Sequence, residues 1–304
     1  MPRIIKWIGI VLGGIIGLIV VAVVAVYVIT EMRLNKSYTI EPEAITIPTD
    51  EAAIEHGKHL VTAIGKCGDC HGANLAGQVF IDAPPGKLFA AKLTAGKGGV
   101  GGTYSDTDWV RSIRHGVGPD GKPLLFMPAQ EFYYFGDADL GDLIAYIKSV
   151  PPVDNEPVTS EVRPLGRVLF IAGQLELVPA ELIDHAAPHP AAPELGVTVE
   201  YGKYLTTVGG CVGCHGPGLS GGQVPGTPPD DPDFPPATNL TPGGATDGWS
   251  EADFINAMRT GQWPNGKQIH LFMPWPAVGQ MTDDELKATW AYLQSVPAKP
   301  DGNR

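Results

Sequence analysis

CGDCH at residues 67–71 and CVGCH at residues 211–215 use all four cysteines of this 304-residue chain. A longer repeat surrounds them. GKHLVTAIGKCGDCHG (57–72) matches GKYLTTVGGCVGCHG (202–216) with one residue deleted. YSDTDWVRSIRHG (104–116) matches WSEADFINAMRTG (249–261), DGKPLLFMP (120–128) matches NGKQIHLFMP (265–274), and LIAYIKSVP (143–151) matches TWAYLQSVP (289–297). The offset drifts only from 144 at the cysteines to 146 at Tyr146/Tyr292. Two copies of a domain-sized unit make a duplication, not a solenoid.

Each copy reads as mostly helical. The first helix should begin near Asp50 in one half and near residue 197 in the other, ending before the cysteines. Ser105 with Asp108, and Ser250 with Asp253, have the spacing of capping boxes that start a second helix. Trp109, Val110 and Ile113, or Phe254, Ile255 and Met258, then share an apolar face. Gly116 and Gly261 fit the C-terminal stops. The last helix carries Leu140, Leu143, Ile144 and Ile147, or Leu286, Trp290 and Leu293, and ends before Pro151 or Pro297. Glycine inside a helix costs about 1 kcal/mol. Gly57 and Gly202 therefore imply close approach of another helix, the last of the same half, through Tyr146 or Tyr292.

Outside the repeats, residues 7–30 carry no charge. At ~1.5 Å per residue they are long enough to span a bilayer's hydrocarbon core. The length of this run and the lack of an A-x-A pattern after it favour an uncleaved anchor over a removed signal. Arg3 and Lys6 precede it, which predicts a cytoplasmic N-terminus with the rest of the chain in the periplasm or its equivalent. Gly9, Gly13 and Gly17 form a repeated G-x-x-x-G, a packing face for a partner helix or simply glycine common in membrane spans. Of the net charge of −12, residues 1–36 contribute +3, leaving −15 for the exported part. That balance argues against nucleic acid and allows docking to a basic patch. Between the repeats, residues 162–182 can form an amphipathic helix, and HAAPHPAAP (185–193) reads as a stiff linker. His185 and His189 have no cysteine or carboxylate cluster nearby, so no metal is assigned to them.

C-x-x-C-H has three chemical readings. A redox disulfide would sit near a β-α-β pattern, which is absent. Zinc would need two further ligands at zinc-type spacing. The third reading is c-type haem attachment: Cys67 and Cys70, or Cys211 and Cys214, bond covalently to one porphyrin, and His71 or His215 becomes the proximal iron ligand. Methionine is a common second axial ligand. Of six methionines, Met1 is terminal, Met32 lies beside the anchor, Met258 falls on a buried helix face and Met281 opens the last helix. Met127 and Met273 remain, both in Phe-Met-Pro, 56 and 58 residues after His71 and His215. The following proline disfavours helix, so each methionine should lie on an extended loop able to cross a haem face.

With these residues in place, each half resembles a class I cytochrome c domain. The finer pattern in the second half, with LSGGQ (219–223), NLTP (239–242), LFMP and AYLQSVP, is similar to the cytochrome subunits of membrane-bound alcohol and gluconate dehydrogenases. The first half has KLTAGKGGVGG where NLTP stands. That family commonly carries three haems and this chain has two motifs, so it is no direct equivalent. The resemblance implies a mostly α fold: two tandem class I cytochrome c domains after an N-terminal transmembrane helix. The expected boundaries are an anchor at 1–36, domain one at 37–155, an inter-domain helix and linker at 156–195, and domain two at 196–304. It also implies that Arg114 and Arg259 face a haem propionate; a solvated arginine favouring the helix dipole is the alternative.

The expected function is electron transfer by a dihaem carrier with two covalently attached haem c groups. It would work with redox partners at the membrane surface, free-standing or as a subunit of a respiratory complex. A catalytic dihaem enzyme, of peroxidase or thiosulfate dehydrogenase type, is the alternative. It would be easier to defend if one Phe-Met-Pro were missing or a cysteine were spare.

Overall fold

The computed structural model describes residues 2–188 and 190–302; His189 lies outside them. Helix α1 (Pro2–Leu34) is a long apolar rod whose residues stand exposed almost throughout. In the first repeat, α2 (Glu51–His59) starts on Asp50, whose carboxylate accepts from the Ala53 amide, and runs into a π-helical turn at Leu60–Ile64. The single turn α3 (Cys67–His71) follows, then α4 (Asp106–His115), α5 (Ala129–Phe132) and α6 (Asp137–Ser149). Helix α7 (Pro164–Ile171) lies between the repeats. The second repeat has α8 (Val199–Val208), α9 (Cys211–His215), α10 (Glu251–Thr260), α11 (Trp275–Val278) and α12 (Asp283–Ser295).

Both expected capping boxes are formed, and Gly116 and Gly261 close α4 and α10 in the left-handed conformation, φ 65° and 69°. Helices α2 and α6 cross, as do α8 and α12. A Cβ placed on Gly57 would overlap the Asp142 carbonyl and meet Tyr146; one on Gly202 would overlap the Ala288 carbonyl and meet Tyr292. The glycines are there because two backbones touch.

Three features depart from the sequence reading. A three-stranded antiparallel sheet, β1 (Gln78–Ala83), β2 (Gly86–Ala90) and β3 (Glu161–Val162), decorates the first repeat, with Gln78 opposite Ala90 and Gly86 opposite Val162. The second repeat has only an isolated bridge, Gly222 to Ala237, at the corresponding place. Residues 162–182 do not form one helix. Gly173, at φ 69°, ends α7, and the Gln174 amide returns to the Leu169 carbonyl, the 6→1 bond of a Schellman stop. Finally, Met281 is buried just ahead of α12, which starts on the Thr282 cap.

One apolar core runs through both repeats, and the contacts between them are reciprocal. The His59 Nε2 of α2 meets the Glu285 Oε2 of α12 at 2.8 Å, while the Tyr204 hydroxyl of α8 donates to Asp139 of α6. His59 and Tyr204 are matched positions of the repeat, as are Asp139 and Glu285. Helix α11 packs on the π-helical turn of the first repeat, and α5 packs on α8 of the second. The two domains are thus related across their interface by an approximate two-fold axis.

Candidate functional site

Helices α3 and α9 are one-turn platforms built the same way. Each starts on a left-handed residue, Lys66 (φ 50°) or Gly210 (φ 68°), and stops at a glycine with φ near 80°, Gly72 or Gly216. Cysteines three apart in a helical turn share a face, and the histidine extends the same turn. The backbone then folds back under the histidine: the Gly77 amide donates to the His71 carbonyl at 2.8 Å and the Gly221 amide to the His215 carbonyl at 2.9 Å. Leu75 and Leu219 hold the tight turn with φ 55° and 57°, and their carbonyls accept from Leu93 and Leu240. This brings a backbone carbonyl to each imidazole. His71 Nδ1 lies 2.6 Å from the Ala91 oxygen, and His215 Nδ1 lies 2.7 Å from the Thr238 oxygen. A carbonyl only accepts, so Nδ1 must carry a proton; in the neutral ring this leaves the lone pair on Nε2, the tautomer and orientation of a metal-ligating histidine. Burial also favours the neutral His71 ring, holding it below the usual histidine range against the raising effect of the Ala91 bond.

None of the four cysteines is in a disulfide. Burial pushes the Cys67 thiol up to about 12 and Cys70 to about 11, and raises Cys211. Such thiols are not the low-pKa thiolates of a redox pair. Among the described residues no group of three His, Cys, Asp or Glu is placed to hold a metal ion. His185 instead faces His115, Nδ1 to Nδ1 at 3.1 Å, and the Ala180 carbonyl.

Met127 and Met273 are half-buried against the same core that Cys67 packs on. Both precede a proline in an inverse γ-turn: Pro128 (φ −77°, ψ 54°) and Pro274 (φ −76°, ψ 50°) let the residue after them donate to the methionine carbonyl at 2.7 Å. The short helices α5 and α11 start directly after each proline. The loops differ in support. Phe126 adopts φ 61° and its amide donates to Leu177 of the inter-domain segment, whereas Phe272 donates to the His270 ring and packs on Phe234.

The arginines are struts. Fully buried Arg114 donates to the Phe135 carbonyl and to Asp137 at 3.0 Å; Arg259 donates to the Gly279 carbonyl and to Asp283 at 2.6 Å. Each ties the end of the capped helix to the start of the last helix. The solvated-arginine alternative does not hold for Arg114.

The attachment platforms meet at the domain interface. Lys66, which opens α3, donates to the Ile64 carbonyl at 2.8 Å and across to the Gly209 carbonyl at 2.5 Å. Glu131 of α5 lies against Gly210 and Gly213 of the other platform. Burial raises its pKa to about 7, partly offset by Lys66. The sequence carried no signal for these residues, because they act between repeats, nor for Ala91 and Thr238, which act through backbone.

The residues suit covalently bound haem. Two cysteines and a tautomer-fixed histidine form each platform, and a thioether lies on a proline-turned loop in the same repeat. The indole N–H groups of Trp109 and Trp275, the latter two residues after Met273, are buried with no hydrogen-bond acceptor in the protein, a polar surplus that a bound group bearing carboxylates can meet.

Comparison with known proteins agrees. Residues 199–297 match the family model described as Cytochrome c, and residues 52–147 match that described as Cytochrome C oxidase, cbb3-type, subunit III. The chain is 27% identical to the alcohol dehydrogenase (quinone) cytochrome c subunit of Gluconobacter oxydans, over 83% of this chain and 56% of that protein. It is 28% identical to the gluconate 2-dehydrogenase cytochrome c subunit of Pantoea cypripedii, over 82% and 61%. With the diheme cytochrome c-type protein of Cereibacter sphaeroides it shares 26% identity over 87% of this chain and 92% of that one. The chain spans a little over half the length of the alcohol dehydrogenase subunits it matches. It contains two cytochrome c domains, each a site for one covalently bound haem c.

Proposed function

We propose that these two cytochrome c domains form an electron relay held at the membrane surface by α1. The relay passes single electrons between a respiratory dehydrogenase or quinol-oxidising complex and a downstream acceptor such as a terminal oxidase. Bound haem c supplies an iron that cycles between Fe(III) and Fe(II). Cys67 and Cys70, with Cys211 and Cys214, hold the two groups covalently. His71 and His215 would supply the ligating nitrogens, with the Ala91 and Thr238 carbonyls setting tautomer and ring orientation. Met127 and Met273 would supply the second iron ligands, thioethers, which raise potential relative to a second histidine. The observation that carries this reading is the recurrence of the whole constellation in both repeats: each has its cysteine pair, its carbonyl-bonded histidine and its half-buried Phe-Met-Pro methionine. Lys66, reaching from one platform to the other, supports a fixed spacing between the two sites.

The length of α1 and its flanking Arg3 and Lys6 support a single span with the N-terminus in the cytoplasm and the haem domains outside. The relatives are named as cytochrome subunits of dehydrogenases, which supports a dehydrogenase as partner. Carbon monoxide tests the reading. The reduced full-length protein should bind it far below one equivalent, because His71 with Met127, and His215 with Met273, would leave neither iron a free position. Stoichiometric binding at one iron would favour a catalytic dihaem enzyme instead.

A further inference from the structure

Helix α7 has two unlike faces. Gly166 and Phe170 are buried; a Cβ on Gly166 would overlap the Pro85 carbonyl, and Phe170 belongs to a small second core with Val117, Leu177 and Val178. The opposite face shows Leu165, Val168 and Ile171 at 46%, 51% and 37% exposure, flanked by exposed Pro164 and Ala172. These positions recur every third residue, so they form one continuous apolar strip with no polar side chain in it. Soluble surfaces scatter single aliphatic residues; contiguous strips mark a contact.

What covers the strip follows from where α7 is tied. Arg167, on the same helix, donates to the Thr30 hydroxyl at 2.7 Å and to Glu31 at 2.6 Å, and its guanidinium sits 4.6 Å from the Tyr27 ring centre. From the other side, Arg33 lies 3.7 Å over the Phe170 ring and pairs with Glu181. Glu31 is the first charge after the uncharged run of residues 7–30. Helix α7 is therefore clamped to the last turn of the apolar segment, at the level where that segment leaves hydrocarbon. An arginine at that depth can lay its stem along apolar surface and keep its charge at the boundary.

We propose that α7 is an interfacial helix, lying on the bilayer surface with Leu165, Val168 and Ile171 among the lipid acyl chains beside the anchor. This rests on the anchoring reading of α1. The strip gives the first domain a second attachment to the bilayer, so the haem domains are held at a fixed tilt instead of swinging on one tether. Amphipathic helices that lie in the membrane plane bind in this way.

The test uses the purified full-length holoprotein in phosphatidylcholine vesicles. Its four native cysteines carry haem, so an introduced thiol is the one that reacts with a membrane-impermeant maleimide. Three variants are compared in the outward-facing fraction: Val168→Cys on the strip, Val20→Cys within α1, and Leu195→Cys in the linker, where Leu195 is 74% exposed. The expected result is rapid labelling at 195, labelling at least tenfold slower at 168, and none at 20. Equal rates at 168 and 195 with 20 protected would overturn the interfacial helix and leave the anchor standing. Labelling at 20 would overturn both. Protection at 168 that vanishes when lipid is raised tenfold over protein would mean that a second copy covers the strip, and would also overturn the proposal.

Discussion

His59 Nε2 stands 2.8 Å from Glu285 Oε2, joining the first helix of one cytochrome c domain to the last helix of the other. The same glutamate caps its own helix, accepting from the Thr282 amide at 2.6 Å. Burial would raise its pKa, but the His59 and Thr282 bonds outweigh that and hold it below the usual carboxylate range. The matched pair in the other direction is Asp139 with Tyr204. A duplicated domain thus docks on its own copy through one pair of positions used twice, with different chemistry each time.

Removing the carboxylate tests this docking. Glu285→Ala should cost about 2–3 kcal/mol, the scale for losing a hydrogen bond to a charged group together with a helix cap. Denaturant unfolding followed by haem absorbance would measure it. An unchanged midpoint would mean that the inter-domain pair is dispensable.

Gly202→Ala separates packing from propensity. At an open helical position alanine gains about 1 kcal/mol over glycine. Here the added methyl overlaps the Ala288 carbonyl, and overpacking of this kind costs roughly 1–3 kcal/mol or more. The overlap is with backbone and cannot be relieved by a side-chain shift, so the cost should sit at the upper end and leave the variant less stable than the parent by about 1–2 kcal/mol. Gly17→Ala, where nothing lies within 4 Å, should leave the stability of the haem domains unchanged.

Stability should depend on pH through Glu131. Its carboxyl titrates near 4.5 unfolded and is pushed up to about 7 folded, chiefly by burial. The folded state therefore holds the proton more tightly. This contribution is complete below pH 4.5 and is lost as pH rises through 7, an effect of roughly 3 kcal/mol. Glu131→Gln cannot titrate, so its unfolding free energy should lack this decline between pH 4.5 and 7. An identical decline in the variant would assign the effect to another group.

Much of this architecture was legible in the sequence, because it is local. Ser105 with Asp108, Ser250 with Asp253, and Gly116 and Gly261 mark helix ends within a few residues of themselves. Gly57 and Gly202 announced a backbone contact because glycine in a helix needs a reason. What could not be read is non-local or carried by backbone. The strand at Glu161–Val162 pairs with residues some 75 positions earlier, and the two repeats differ there. The Ala91 and Thr238 carbonyls, which orient the histidines, belong to groups every residue possesses. Lys66 acts on Gly209, a partner in the other repeat. Gly173 ends α7 inside an apolar pattern that by itself would carry a helix on through residue 182.

Each methionine should govern one haem alone. Met127→Ala and Met273→Ala should each remove one methionine–iron charge-transfer band and lower one potential, leaving the other wave in place. Oxidised spectra and potentials of the two single variants provide the check. If either variant leaves the oxidised spectrum unchanged, the thioether assignment fails for that methionine. The Phe126 backbone is braced by the inter-domain segment whereas Phe272 is braced locally, so Met127→Ala should disturb the surrounding fold less.

A spectro-electrochemical titration of the purified full-length protein tests the central claim most directly. The account predicts two one-electron waves, each with the spectrum of a low-spin iron bound by histidine and methionine. A single wave, or a high-spin iron with an open position at either site, would contradict it.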